Sequence, residues 1–103
     1  MLGVPQALLD QYGAVSEPTA RAMAEGARRI TGADIAVSVT GVAGPDPDER
    51  GNPVGLVFIG LATPDGTFCR RTESGRRTRD RIQDLSANHA LDMVRRYLTG
   101  LEL

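Results

Sequence analysis

The chain has no lysine and no tryptophan, one cysteine, one histidine, and only two tyrosines and two phenylalanines. All twelve basic residues are therefore arginine, which excludes any mechanism built on a lysine base or a Schiff base. With Cys69 alone there can be no internal disulfide and no cysteine-based zinc site, which fits a reducing compartment. No apolar run approaches the ~18 residues of a membrane span, and Met1 to Tyr12 shows no basic segment followed by a signal-type apolar stretch. A cytoplasmic protein is the expectation. Twelve basic residues against thirteen acidic ones leave a net charge of −1, so no one-signed field draws the chain to nucleic acid or to a membrane surface.

What is present suits one small domain: 103 residues can bury a single core, so residues 1–103 are read as one unit. Gln6 to Tyr12 has the length of a short helix or turn ended by Gly13. Ser16 is an N-cap residue type, followed by Glu17 at the positive end of a helix and Pro18 inside its first turn, where a missing N–H costs nothing. Ala20, Met23, Ala24, Ala27 and Ile30 recur at helical spacing, predicting a helix over Glu17–Ile30 that stops at Gly32. Ile35 to Val39 reads as a strand, with its bulky branched side chains facing a large core and its small ones permitting close packing. Val54 to Ala62 is nearly all apolar, as a central strand covered on both faces requires. Pro64-Asp65-Gly66 is turn chemistry, and Thr67 to Thr72 is the antiparallel return. Ala90, Met93, Val94, Tyr97 and Leu98 form an apolar stripe on a long helix from Thr78 to Leu98. The order helix, strand, hairpin, helix implies an α/β protein in α/β/α layers, with helices packed on a mixed sheet.

The functional signal is concentrated where the first strand runs into Thr40-Gly41-Val42-Ala43-Gly44-Pro45. Small residues at the carboxyl end of a strand let backbone N–H groups approach a ligand, and an anion or carboxamide could sit against such a loop. Plain turn geometry explains the same residues.

Taken together, the Thr40–Pro45 loop, the ten-residue spacing that ends in Pro53-Val54-Gly55, the earlier Gly13-Ala14-Val15-Ser16 and the closing Ala90-Leu91-Asp92-Met93-Val94-Arg95-Arg96 resemble the CinA C-terminal domain family along essentially the whole chain. The resemblance implies an α/β/α fold and, for active members, hydrolysis of the carboxamide of nicotinamide mononucleotide to the acid with release of ammonia, without cofactor or metal. It implies an absence too. The first third of the family domain carries a Ser-Cys-Thr-Gly-Gly segment with the nucleophilic serine, then a tyrosine and a lysine shortly before a Leu-Gly-Val. Met1-Leu2-Gly3-Val4 corresponds to that last motif, so the catalytic segment would lie upstream and the domain here is partial. No catalytic residue is assigned.

What the resemblance leaves is the substrate-holding part: Thr40 as the threonine facing the substrate, the backbone of Gly41, Val42, Ala43 and Gly44 lining the pocket, and an arginine for the phosphate. Counting back from Ala90 gives Arg79, with Gln83 at the family's second arginine. Counting from Gly75 gives Arg77 and Arg81 instead. A guanidinium suits phosphate because its donors meet two oxygens at once. Asp46-Pro47-Asp48 departs from the family's glycine run after the proline, making this loop stiffer and more acidic.

Plainer roles fit the other candidates. His89 flanks the apolar stripe of the last helix with no metal-ligand partner. Cys69 reads as a small partly buried residue, and Asp46, Asp48 and Glu49 as a solvated loop. Loss of a first third would also leave a sheet edge open to pairing with another chain, including a second copy. Two functional readings follow: an incomplete amidohydrolase completed by an upstream polypeptide, or a non-catalytic remnant that binds nucleotide or a partner.

Overall fold

A computed structural model of the chain describes residues 3–103, with elements in the order α1 (Gln6–Tyr12), α2 (Glu17–Thr31), β1 (Ala36–Gly41), β2 (Leu56–Thr63), β3 (Gly66–Glu73) and α3 (Arg79–Leu98). Met1 and Leu2, the first half of the Met1–Val4 start, lie outside the described residues. Both long helices begin as their sequences require. The Ser16 hydroxyl oxygen accepts from the Thr19 N–H at 3.3 Å, and that of Thr78 from the Arg81 N–H at 3.2 Å. Gly32 ends α2 in the left-handed conformation at φ 71°, its N–H returning to the Arg28 carbonyl.

The strands lie side by side in the order β1-β2-β3 and both pairings are antiparallel, so the sheet is not the mixed one expected. The reason lies in the connection from β1 to β2. A parallel return needs a crossover element, whereas residues 42–55 fold into a loop without a helix and bring the chain straight back. Thr63 and Gly66 close the second hairpin around Pro64-Asp65; the Thr63 hydroxyl donates to the Gly66 carbonyl at 2.8 Å and accepts from the Asp65 N–H.

The two helices cover opposite faces, giving three layers. On one face Ser38, Gly60 and Cys69 lie in register beneath α2. That approach is close: the Ser38 hydroxyl donates to the Ala20 carbonyl at 2.6 Å, and a Cβ on Gly60 would stand 2.4 Å from the same oxygen. On the other face Val57, Ile59 and Leu61 of β2 meet Ile82, Ala90 and Met93 of α3, with Val42 and Val54 closing the core from the loop. Ile59 and Leu61 are fully buried and Met93 almost so, each contributing about 2 kcal/mol. The core ends at β2, however. Val37 and Val39 of β1 point to the same face and remain 41% and 43% exposed, contrary to the expectation that they meet a large core.

α3 is tied to β3 by charge. Arg70 donates to the Asp92 carboxylate at 3.0 Å and lies 3.1 Å from His89 Nδ1, while Arg95 and Arg96 also reach Asp92 at 2.9 and 3.0 Å. Hydrogen bonds from Arg95, then Arg70 and Arg96, outweigh the cost of partial burial and hold the Asp92 carboxyl down at about 2. The Tyr97 hydroxyl donates to Asp65 at 2.5 Å, fastening the last turns of α3 to the hairpin tip. Among the described residues no helix is long and apolar enough to cross a membrane.

Two outcomes follow. Gly60→Ala should lower stability by about 2 kcal/mol or more in urea unfolding, because the added methyl meets backbone rather than a movable side chain. Because the Asp92 pKa is depressed on folding, its stabilisation is complete above the ordinary carboxylate pKa of about 3.9 and is lost as pH falls through about 2. The urea midpoint should therefore drop across that window, and Asp92→Asn should flatten the drop while lowering the neutral-pH plateau.

Candidate functional site

The hydroxyls around the Thr40–Gly44 segment are already committed. Thr40 is 8% exposed, lies on the α2 face and donates to the Ala14 carbonyl at 2.7 Å; Thr19 donates to the Gly13 carbonyl at 2.6 Å. Ser16 donates to the Gly13 carbonyl, Ser38 to Ala20, and Ser86 to the Ile82 carbonyl one turn back in α3. Each of these side-chain protons is spent on a backbone carbonyl. Thr40 thus pins the end of β1 to the segment before α2, and its side chain does not line the cavity on the other face.

That cavity, of about 290 Å³, opens beside Gly41 on the α3 side. Val39, Gly41, Ala43, Val57, Ile82 and Ala87 make it apolar, and Gln83 and Ser86 bring its polar groups. Gly41 is needed there: a Cβ would fall 2.6 Å from a Val57 methyl and 2.9 Å from the Leu56 carbonyl. A second cavity, about 420 Å³, adjoins the first across Val57 and Ser86 and is lined also by Thr72, Glu73, Ser74, Arg77, Leu85 and His89. Arg77 is held there by a 2.9 Å hydrogen bond from its Nε to the Ser74 carbonyl. Arg79 and Arg81 sit in the exposed first turn of α3 and line neither cavity; Gln83 lines the first. Val42 turns into the core at 6% exposure, and Gly44 packs against Val54 with its backbone at φ 86°, preceding a cis bond to Pro45.

The acidic loop is internally organised. Asp48 accepts from the N–H groups of Arg50 and Asn52 and from the Asn52 amide at 2.7 Å, and these bonds, that amide foremost, keep its carboxyl below the usual range. Arg50 then reaches across to α1 and donates to the Leu9, Asp10 and Gln11 carbonyls, the negative end of that helix. No signal in the sequence singled out Arg50. Among the described residues no three potential metal ligands come together. Cys69 is half-buried beneath α2, where desolvation and then Glu17 push its thiol up, Arg21 opposing in part. It therefore stays a protonated packing residue at neutral pH.

The profile of one known family matches residues 1–98. The chain belongs to the CinA C-terminal domain family. It is 48% identical over 98 residues to the nicotinamide-nucleotide amidohydrolase PncC of Shewanella oneidensis, covering 95% of this chain and 23% of that protein. A CinA-like protein of Shewanella putrefaciens shows the same figures. Among solved structures, the competence/damage inducible protein CihA of Agrobacterium tumefaciens superposes with a TM-score of 0.85 at 38% identity, over 91% of this chain and 58% of its own. The competence damage-inducible protein A of Klebsiella pneumoniae gives 0.90 at 29% identity over 98% and 62%. The chain thus spans about a quarter of the length of the curated relatives it matches, and about three fifths of these solved chains.

The Arg50 clamp yields its own test. Arg50→Ala should cost about 1 kcal/mol. Limited proteolysis should then cut residues 44–54 sooner than in the parent chain, whereas an unchanged cleavage rate would mean that Asp48 alone holds the loop.

Proposed function

We propose that this chain is the substrate-holding part of a nicotinamide-nucleotide amidohydrolase domain, and that on its own it binds nicotinamide mononucleotide without cleaving it. The observation that carries this reading is the pair of adjoining cavities. One is an apolar slot beside Gly41, of a kind that admits a flat ring, with the Gln83 amide available to a carboxamide; the other has Arg77 and Ser74 for a phosphate. Family membership and the printed name of the Shewanella oneidensis relative support the choice of nucleotide. Gly41 and Ala43 border the slot, while Thr40 fixes the end of β1 from behind.

Hydrolysis adds water across the carboxamide C–N bond, leaving carboxylate and ammonia. An enzyme that does so through a serine needs a base to take the hydroxyl proton. Here the buried hydroxyls donate to carbonyls and there is no lysine, so nucleophile and base would have to come from the part of the family domain that this chain does not span. Binding without turnover is the non-catalytic reading in concrete form.

The test pairs a thermal-shift titration of the purified chain with an ammonia assay, both using nicotinamide mononucleotide. The expected result is an upward shift in melting temperature with no ammonia above background. Arg77→Ala should weaken binding about tenfold, the worth of one charge-assisted contact, while Arg79→Ala changes it little. Ammonia release would overturn the claim that the chain is inactive alone, and the absence of any shift would overturn the binding site.

A further inference from the structure

His89, the chain's only histidine, stands half-buried on α3 between an ion pair and a cavity. Its Nδ1 lies 3.1 Å from Nη1 of Arg70, and its ring lines the second cavity together with Thr72, Ser74 and Arg77. The first contact decides the state of the ring. A guanidinium has only donors and keeps its protons, so Nδ1 must accept there and carries no proton itself. The uncharged ring then bears its hydrogen on Nε2, because the bond made by one ring nitrogen fixes what the other holds. Arg70 is itself anchored. The same Nη1 donates to Asp92 at 3.0 Å, one turn further along α3, and the Arg70 side chain is only 19% exposed. Asp92 thus aims Arg70, and Arg70 sets the tautomer of His89.

The cavity has a use for the donor so fixed. Arg77 gives its Nε–H to the Ser74 carbonyl, which leaves the two terminal nitrogens of its fork for a ligand, and the Ser86 hydroxyl goes to the Ile82 carbonyl. Glu73, the one acid on this wall, is paired with Arg71. A phosphate monoester presents three acceptor oxygens, and one guanidinium edge meets two of them. We infer that His89 is a specificity-determining residue of the second cavity: held by Arg70 as the Nε2–H tautomer, it donates to a phosphate monoester beside Arg77, so that the site separates a nucleotide from its riboside. The inference rests on the nucleotide reading of the two cavities. Removal of the phosphate leaves Arg77 and the Nε2–H without their acceptor, which is how a site built to bond a polar group rejects the analogue lacking it. Arg70 is the positioning residue, acting on the ligand only through the ring.

Nitrogen NMR of the purified chain, labelled in its single histidine, reads the tautomer, and calorimetric titrations with nicotinamide mononucleotide, nicotinamide riboside and inorganic phosphate read the contact. The expected result in mildly alkaline solution is a ring protonated at Nε2 with Nδ1 as acceptor, a pattern that Arg70→Met disturbs. His89→Ala should weaken mononucleotide binding about tenfold and leave riboside binding unchanged, and His89→Gln, whose amide N–H can stand near the same point, should recover part of the loss. A proton found on Nδ1 would overturn the tautomer and the contact with it. An equal loss for nucleotide and riboside would reduce His89 to a packing residue and overturn the inference as well. Mononucleotide binding indifferent to His89→Ala would overturn the contact while the nucleotide reading stands. His89-dependent binding of inorganic phosphate, in a chain that ignores the mononucleotide, would keep the contact and remove only that reading.

Discussion

The distance between α2 and the sheet governs the rest of the structure. Gly60 has no Cβ, and the Ser38 hydroxyl reaches the Ala20 carbonyl, so the helix settles directly on strand backbone where side chains would normally keep two layers about 10 Å apart. Ala20 and Ala24, both fully buried, keep the seating face of the helix small. Once α2 is down, the Gly13–Ser16 segment that leads into it lies where Thr19 and Thr40 can bond its carbonyls, and the end of β1 is fixed without help from the loop beyond. The slot beside Gly41 is the far-side result of that fixation.

Much of this was legible in the residues. The cap Ser16, the stop at Gly32, the turn at Pro64-Asp65 and the central strand of nearly unbroken apolar residues each announce an element through local chemistry, whereas Thr78, read as helix, is the cap of α3. The direction of β1 against β2 was not legible, because their connection has a length that suits either a return or an irregular crossover, and only the folded loop decides. Nor was the incomplete burial of Val37 and Val39, since a β-branched residue in a strand reads the same whether or not anything covers it. At the candidate site, small residues mark the loop but not the face on which the slot opens: Thr40 turns away from the slot, Gln83 and Ser86 line it from α3, and Arg77 lines the adjoining cavity from the turn before that helix. Their spacing along the sequence carries no mark of that convergence.

The hydroxyls illustrate how one residue type can serve either structure or chemistry and seldom both. Ser38, Thr40 and Ser86 each have one proton to give, and each gives it to a carbonyl. A nucleophile must instead offer that proton to a group that will take it. The same economy holds in the acidic loop, where Asp48 satisfies three N–H donors and so shapes the chain in place of holding a cation.

The strap around Asp92 has a property that follows from its being made of arginine throughout. A guanidinium does not surrender its proton in any solution a protein survives, so Arg70, Arg95 and Arg96 keep their grip on the carboxylate however alkaline the medium becomes. Lysines at the same three places would let go one after another as the medium passed their titration range. Of the three only Arg70 comes from the sheet, so it is this one β3–α3 ion pair that resists base and yields to acid, and the chain's lack of lysine, which withholds a catalytic base, is also what makes that pair alkali-fast.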